Sequence, residues 1–222
     1  MYIELHCHSA FSFLDGATLP EQLLLEAQSL GYPALGLTDH HGLYGSMAFA
    51  QTAKQLGLQA VTGAELTLLD GSHVTLLAET PAGYANLCRL ITEAHLSRED
   101  RRDPRLDFAS LEQRHEGLII LSGCREGLLP TVLRNEGYSA ARRFADRCRA
   151  TFGRENFFVE LQRNAVRGDH ALSNTLAALA DLANLSVVAT GNVHYHARER
   201  HRLHDTLVAI RHRLTLDGSH TV

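Results

Sequence analysis

At 222 residues, 45% hydrophobic and 21% charged, the chain suits one sizeable globular domain or at most two small ones, and no apolar run approaches the length of a membrane span. Its net charge of −4 argues against a surface that grips duplex DNA through many phosphates, although bound cations would invert that field locally. Fourteen histidines are the unusual feature, while four cysteines (Cys7, Cys88, Cys124, Cys148) without paired spacing and without a signal peptide point to a reduced, cytoplasmic protein.

Tyr2 to His8 alternates in β fashion, which places His6 and His8 on one face of a short strand. Asp15 follows in a Ser-rich loop closed by Gly16. Thr18 reads as a helix cap with Pro20 in the first turn, and Leu23, Leu24, Ala27 and Leu30 recur at helical spacing up to Gly31. A short apolar strand over 34–38 runs into Asp39-His40-His41-Gly42, and a helix follows through Met47, Ala53 and Leu56 to Gly57. Strands over 59–68 and 73–78, joined at Asp70-Gly71, read as a hairpin-like pair. A helix from Tyr84 to Leu96 precedes a charged, exposed loop over 97–107. Beyond it the pattern predicts a strand over 118–122 ending at Gly123-Cys124, helices over 126–134 and 138–151, and a strand over 156–161 that contains Glu160. A helix over 170–184 and a strand over 186–190 lead to Gly191-Asn192-Val193-His194, and a basic helix over 198–213 carries Leu203, Leu207 and Ile210 as its apolar stripe. Alternation of strand and helix at these intervals predicts an α/β domain built on a mainly parallel sheet.

Polar residues gather at the C-terminal ends of the apolar strands: His6 and His8, His40, Glu65, Cys124, then Asn192 with His194, with Asp15 and His73 nearby. In parallel α/β architectures that end carries the site. Imidazole, carboxylate and one thiolate suit zinc, or manganese and iron where carboxylates dominate. The candidates outnumber the ligands of one tetrahedral ion, so two or three ions are expected, an arrangement suited to phosphate esters. Each residue also has an ordinary reading. Cys124 could be a small buried hydrophobe, His41 a loop cap, and Glu160 a ligand, a core ion pair or, as favoured here, a group outside the ligand shell. His95, His115, His170, His201, His204, His212 and His220 read as solvated. No G-x-S-x-G and no G-x-G-x-x-G occurs, which removes the serine-nucleophile and dinucleotide-binding readings.

The blocks His6-Cys7-His8-Ser9, Thr38-Asp39-His40, Gly63-Ala64-Glu65 and Asn192-Val193-His194 resemble the PHP (polymerase and histidinol phosphatase) family. The run Glu4–Gly16, with Leu37–Gly45, His73–Ala78, Gly83–Leu87 and Leu121-Ser122-Gly123-Cys124, is more closely similar to the N-terminal PHP domain of bacterial DNA polymerase III alpha subunits, in the error-prone branch. The resemblance implies a distorted (β/α)7 TIM-like barrel over 1–222, with the segment from about 198 leading toward polymerase domains of a longer parent chain. It implies a site of two or three Zn²⁺ or Mn²⁺ ions, with Fe as a further possibility. His6, His8, Glu65 and Asn192 would hold one ion, Asp15, His40 and His194 a second, and Glu65, His73 and Cys124 a third, with Asp39 and Glu160 behind them. Cys124 stands where phosphatase members usually carry His, and Asn192 where Asp is usual. The implied activity is hydrolysis of phosphate esters by metal-activated hydroxide, including 3′–5′ exonuclease action on a DNA 3′ end. Two other roles stay open: an inactive PHP module that stabilises a polymerase or docks a partner, and a free-standing small-molecule phosphatase.

Overall fold

The computed structural model describes residues 2–100 and 102–216. Expectations for His220 and the chain end therefore lie outside the described residues. Two compact units are present, one comprising the residues up to Thr62 together with those from Asn192 onward, the other Gly63–Gly191.

The first unit starts with an extended segment, not the predicted strand. The Glu4 and Cys7 carbonyls accept from Gly36 and Thr38 N–H at 2.8 Å, while His8 N–H donates to Val193 at 2.7 Å and Val193 N–H to His6 at 2.9 Å. A single ladder bridge, Cys7 to Val193, is formed. Bonding on both edges buries Glu4 and every residue from His6 to Ser9.

The N-cap position of helix α1 (Pro20–Ser29) falls on Leu19, which makes no side-chain cap bond, and not on Thr18. The Thr18 hydroxyl is taken up by His196, lying 3.0 Å from its Nδ1 and accepting its backbone N–H at 3.2 Å. Strand β1 (Ala34–Leu37) and helix α2 (Ser46–Leu56) follow, the latter ended by Gly57 at φ 72°. Leu23, Leu24 and Ala27 of α1, Leu35 and Leu37 of β1, and Phe49 and Ala53 of α2 form a core with Cys7. Strand β2 (Gln59–Thr67) passes from one unit into the other: Gln59–Thr62 pairs in parallel with β1, and Gly63–Thr67 pairs antiparallel with β3 (His73–Ala78).

In the second unit, helix α3 (Pro81–Leu96) starts three residues before the predicted Tyr84, because Thr80 accepts from Gly83 N–H and Pro81 suits the first turn. The loop after it is less exposed than expected. Leu106 is fully buried and bridges Leu68, and Asp107 caps a short helix α4 (Phe108–Gln113) that the pattern did not announce. Strand β4 (Leu118–Leu121), helices α5 (Leu128–Glu136) and α6 (Tyr138–Phe152), strand β5 (Phe157–Leu161), helix α7 (Asp169–Ala183) and strand β6 (Ser186–Ala189) complete the unit. β3 pairs antiparallel with β4 as well, whereas β4–β5 and β5–β6 are parallel. The α/β assignment holds, but the hairpin turn before β3 makes the sheet mixed: three parallel and two antiparallel pairings join the six described strands.

After Asn192 the chain returns to the first unit and ends its described part in a 3-10 turn (Arg198–Arg200) and helix α8 (His201–His212). Among the described residues, no helix is long and apolar enough to cross a membrane.

Candidate metal centre

In the first unit, backbone pairing places three imidazoles face to face. His8 lies in the doubly bonded extended segment, His40 just after β1, and His194 one residue beyond Val193, which the same segment grips. The His8 ring stacks on His40 at 4.3 Å and 21° and on His194 at 4.9 Å and 25°, and His6 lies 5.1 Å from it. One ring nitrogen from each of His8, His40 and His194 falls within 4.8 Å of the others.

Asp15 joins them from the Ser-rich loop. Its Oδ2 lies 2.8 Å from His40 Nε2 and 3.1 Å from His194 Nε2, while Arg211 of α8 donates to Oδ1 at 2.6 Å. Burial alone would raise this carboxyl; the hydrogen bonds and charge of His194 and His40 outweigh it and hold Asp15 well below the usual carboxylate range. The tautomer of His194 sharpens the point. Its Nδ1 is 2.8 Å from the Asn192 carbonyl, which can only accept, so Nδ1 carries the hydrogen and a neutral ring has its lone pair on Nε2. That lone pair faces a carboxylate oxygen at 3.1 Å, an arrangement that needs a proton or a metal ion between the two atoms. Asn192 Oδ1 is a buried oxygen with no hydrogen-bond partner among the described residues, and its backbone is left-handed at φ 51°. A nitrogen-rich cluster, one carboxylate and an unspent amide oxygen fit a borderline divalent cation.

Asp39 sits behind this cluster. Its Oδ1 accepts from Ser9 N–H at 2.6 Å and Ser12 Oγ–H at 2.8 Å, and its Oδ2 from Ser9 Oγ–H at 2.7 Å. Burial raises its pKa, and the Ser9 and Ser12 hydrogen bonds only partly offset that. The charge of His40 lowers it as well, by less than the serine hydrogen bonds do.

The second unit gathers its own group. Glu65 on β2 and His73 at the start of β3 are brought side by side by the hairpin register, Oε1 to Nδ1 at 3.0 Å. Cys124, beyond β4, sets its Sγ 3.9 Å from the same Nδ1, and one ligand atom from each of the three lies within 4.8 Å of the others. Burial, then the charge of Glu65, pushes the Cys124 thiol far above its ordinary value, so a thiolate there requires a bound cation. This set also suits zinc. Glu160 is buried, accepting from the Thr190 hydroxyl and from Gln162 Nε2 at 2.8 Å, and its charge also raises the Cys124 thiol.

Arg211 and the hydroxyls of Ser9 and Ser12, which bind Asp15 and Asp39, are not marked as site groups by the sequence pattern. His204 was expected to be solvated, yet its ring lies 5.3 Å from that of His194 and 5.5 Å from Tyr195, and burial lowers its pKa. His115 likewise meets the Phe152 ring edge-on at 5.2 Å. Only the Ser-rich character of the loop after His8 carried any signal in the sequence.

The PHP domain family profile matches residues 4–164. The error-prone DNA polymerase of Symbiobacterium thermophilum is 42% identical over 239 residues, covering 99% of this chain and 22% of that protein. The chain thus spans about a fifth of the length of the curated relatives it matches. Among solved structures, a candidate metal-dependent phosphoesterase from Bifidobacterium adolescentis superposes with a TM-score of 0.56 at 15% identity, covering 86% of this chain and 87% of the other. Endonuclease Q, solved with a 27-mer duplex bearing an abasic lesion at its active site, gives 0.50 at 10% identity, covering 88% and 49%. At those identities the structural likeness concerns the fold alone.

Proposed function

The chain belongs to the PHP domain family, and from that premise we propose that it is a metal-dependent phosphoesterase that cleaves phosphate esters, with a DNA 3′ end as the favoured substrate and the polymerase domains of a longer parent protein as its partners. The observation that carries the reading is the convergence of His40 and His194 Nε2 on one oxygen of Asp15, beside the stacked His8. Two or three Zn²⁺ or Mn²⁺ ions would be held by His6, His8, Asp15, His40, Glu65, His73, Cys124, Asn192 and His194. Bound ions of this kind activate water at neutral pH and neutralise charge on phosphoryl oxygens.

The protein's own groups do the rest. His194 offers Nε2 because the Asn192 carbonyl claims Nδ1. Asp15 presents Oδ2 to the cluster because Arg211 occupies Oδ1. Near-parallel contacts with the rings of His40 and His194 constrain the plane of His8. Burial of His8 and Asp15 keeps bulk water from competing for their ligand atoms.

A second reading, a PHP module kept for architecture or docking, is favoured by one feature: Asn192 supplies a neutral amide where a carboxylate would balance cationic charge. The deciding experiment loads the chain with Zn²⁺ or Mn²⁺, counts ions, and follows a 3′-labelled oligonucleotide and a chromogenic phosphate monoester. Two or more ions with hydrolysis that His8→Ala abolishes support the phosphoesterase. Turnover of the monoester alone points to a small-molecule phosphatase. Absence of hydrolysis in loaded wild type, restored by Asn192→Asp, would mark a disarmed site, and absence in both would leave the architectural role.

A further inference from the structure

One hydroxyl in the first unit touches more of the cluster than any ligand needs for its own placement. Ser12 Oγ is fully buried, 2.8 Å from Asp39 Oδ1, 3.1 Å from the His40 backbone nitrogen and 3.2 Å from His8 Nδ1. Its bonding follows by elimination. The His40 N–H can only donate, so it uses one lone pair of Ser12 Oγ. The hydroxyl has a single hydrogen to share between Asp39 and His8. Were it given to His8 Nδ1, Ser12 Oγ and Asp39 Oδ1 would face each other at 2.8 Å as two lone-pair-bearing oxygens with nothing between them. Asp39 cannot turn away, because Ser9 holds both of its oxygens through a backbone N–H and a hydroxyl. Three donors on one carboxyl are the arrangement of a carboxylate. The Ser12 hydrogen therefore goes to Asp39, and His8 Nδ1 must itself donate to the second lone pair of Ser12.

We propose that Ser12 is a positioning residue that fixes His8 as the Nδ1–H tautomer, leaves the lone pair on Nε2 as the metal-binding atom, and anchors the backbone of His40 through the same oxygen. A neutral imidazole has one N–H, and which nitrogen carries it is set by the partner of the other. Contacts of the His8 ring with those of His40 and His194, at 21° and 25° between planes, limit its rotation away from this bond. The chain Ser9–Asp39–Ser12–His8 thus does for His8 what the Asn192 carbonyl does for His194. Partners of this kind change metal affinity by about 10–100-fold when removed. The metal-binding part of the proposal rests on the phosphoesterase reading; the tautomer does not.

The test uses the whole chain labelled with ring-¹⁵N histidine, stripped with chelator and held at about pH 8, where an ordinary imidazole is neutral. Two-bond and three-bond ¹H–¹⁵N correlations report the tautomer of each ring, and the His8 signals are those missing from His8→Asn. The expected result is a protonated Nδ1 and an unprotonated Nε2 in wild type. Ser12→Ala should mix the tautomers and weaken Zn²⁺ binding, read by chelator competition, by about tenfold or more. Ser12→Thr, which keeps the hydroxyl, should restore both. An Nε2–H tautomer in wild type overturns the proposal whether or not Ser12→Ala folds. So does a Ser12→Ala protein with unchanged tautomer and unchanged affinity. Wild type with Nδ1–H that binds no Zn²⁺ would refute the phosphoesterase reading and leave the tautomer assignment standing.

Discussion

Replacing Arg211 with Met keeps the apolar stem and removes the guanidinium that donates to Asp15 at 2.6 Å. The Asp15 side chain is 6% exposed and that of Arg211 42%. Breaking a fully buried ion pair costs about 3–5 kcal/mol, and an exposed pair is worth roughly 0.2–1 kcal/mol. Here one partner is buried and the other half open, so water and the neighbouring imidazoles take up part of the loss. The expected destabilisation of the metal-free chain is about 1–2 kcal/mol. For a chain of this size that lowers Tm by about 2–8 °C. Arg98→Met is the matched control, since its pair with Asp103 has side chains 49% and 44% exposed and should matter by less than about 0.5 kcal/mol. Melting curves would be recorded by circular dichroism in chelator and again with Zn²⁺. A cation at Asp15 compensates the missing guanidinium, so the deficit of Arg211→Met should shrink when Zn²⁺ is present. A shift no larger than that of Arg98→Met, or one that grows with Zn²⁺, would refute this account of Asp15.

Asn192→Asp places a charge on a buried oxygen that now has no hydrogen-bond partner among the described residues, so it should lower the Tm of the chelated protein yet tighten Zn²⁺ binding by about tenfold or more in chelator competition, worth ~1.4 kcal/mol. Gly16→Ala should cost about 3 kcal/mol in urea unfolding, because its Cβ would lie 1.8 Å from the Ser9 carbonyl oxygen and the loop that positions Asp15 would have to move. Leu90→Ala, in the core of the second unit, should cost about 2–5 kcal/mol by the same measurement. Cys148 is fully buried and burial pushes its thiol far above the ordinary value of 9.0. The folded state therefore resists ionisation while the unfolded chain does not, so this contribution is complete at neutral pH and is lost as pH rises above about 9. Unfolding free energies measured between pH 7 and 10 should fall less steeply in Cys148→Ala.

Much of the fold could be read from local pattern. Helix periodicity in Leu23, Leu24 and Ala27, the Asp70-Gly71 hairpin turn, and apolar runs such as Leu118–Leu121 each report one element's own burial requirement, and those elements formed. The misses share a cause. The extended segment through His8 forms a single ladder bridge, and its bonding partners, Gly36, Thr38 and Val193, are remote in sequence, so its local alternation could not report them. Thr18 lost its cap role because His196, 178 residues away, competes for the hydroxyl. Leu106 looked like an exposed loop residue because its bridge to Leu68 is not encoded in its neighbours.

For the site, the sequence by itself determined which side chains have metal-binding chemistry. A histidine or carboxylate at the end of an apolar strand is poorly solvated wherever that strand goes, and the motif blocks that carry them are ordered along the chain. Tertiary structure alone decided how those atoms are charged and aimed. Arg211 reaches Asp15 across 196 positions, Ser9 and Ser12 reach Asp39 across 30 and 27, and His204 comes to rest against His194. Hydrogen-bond partners fix tautomers and burial sets proton affinities, and both depend on distances between residues that no local pattern records.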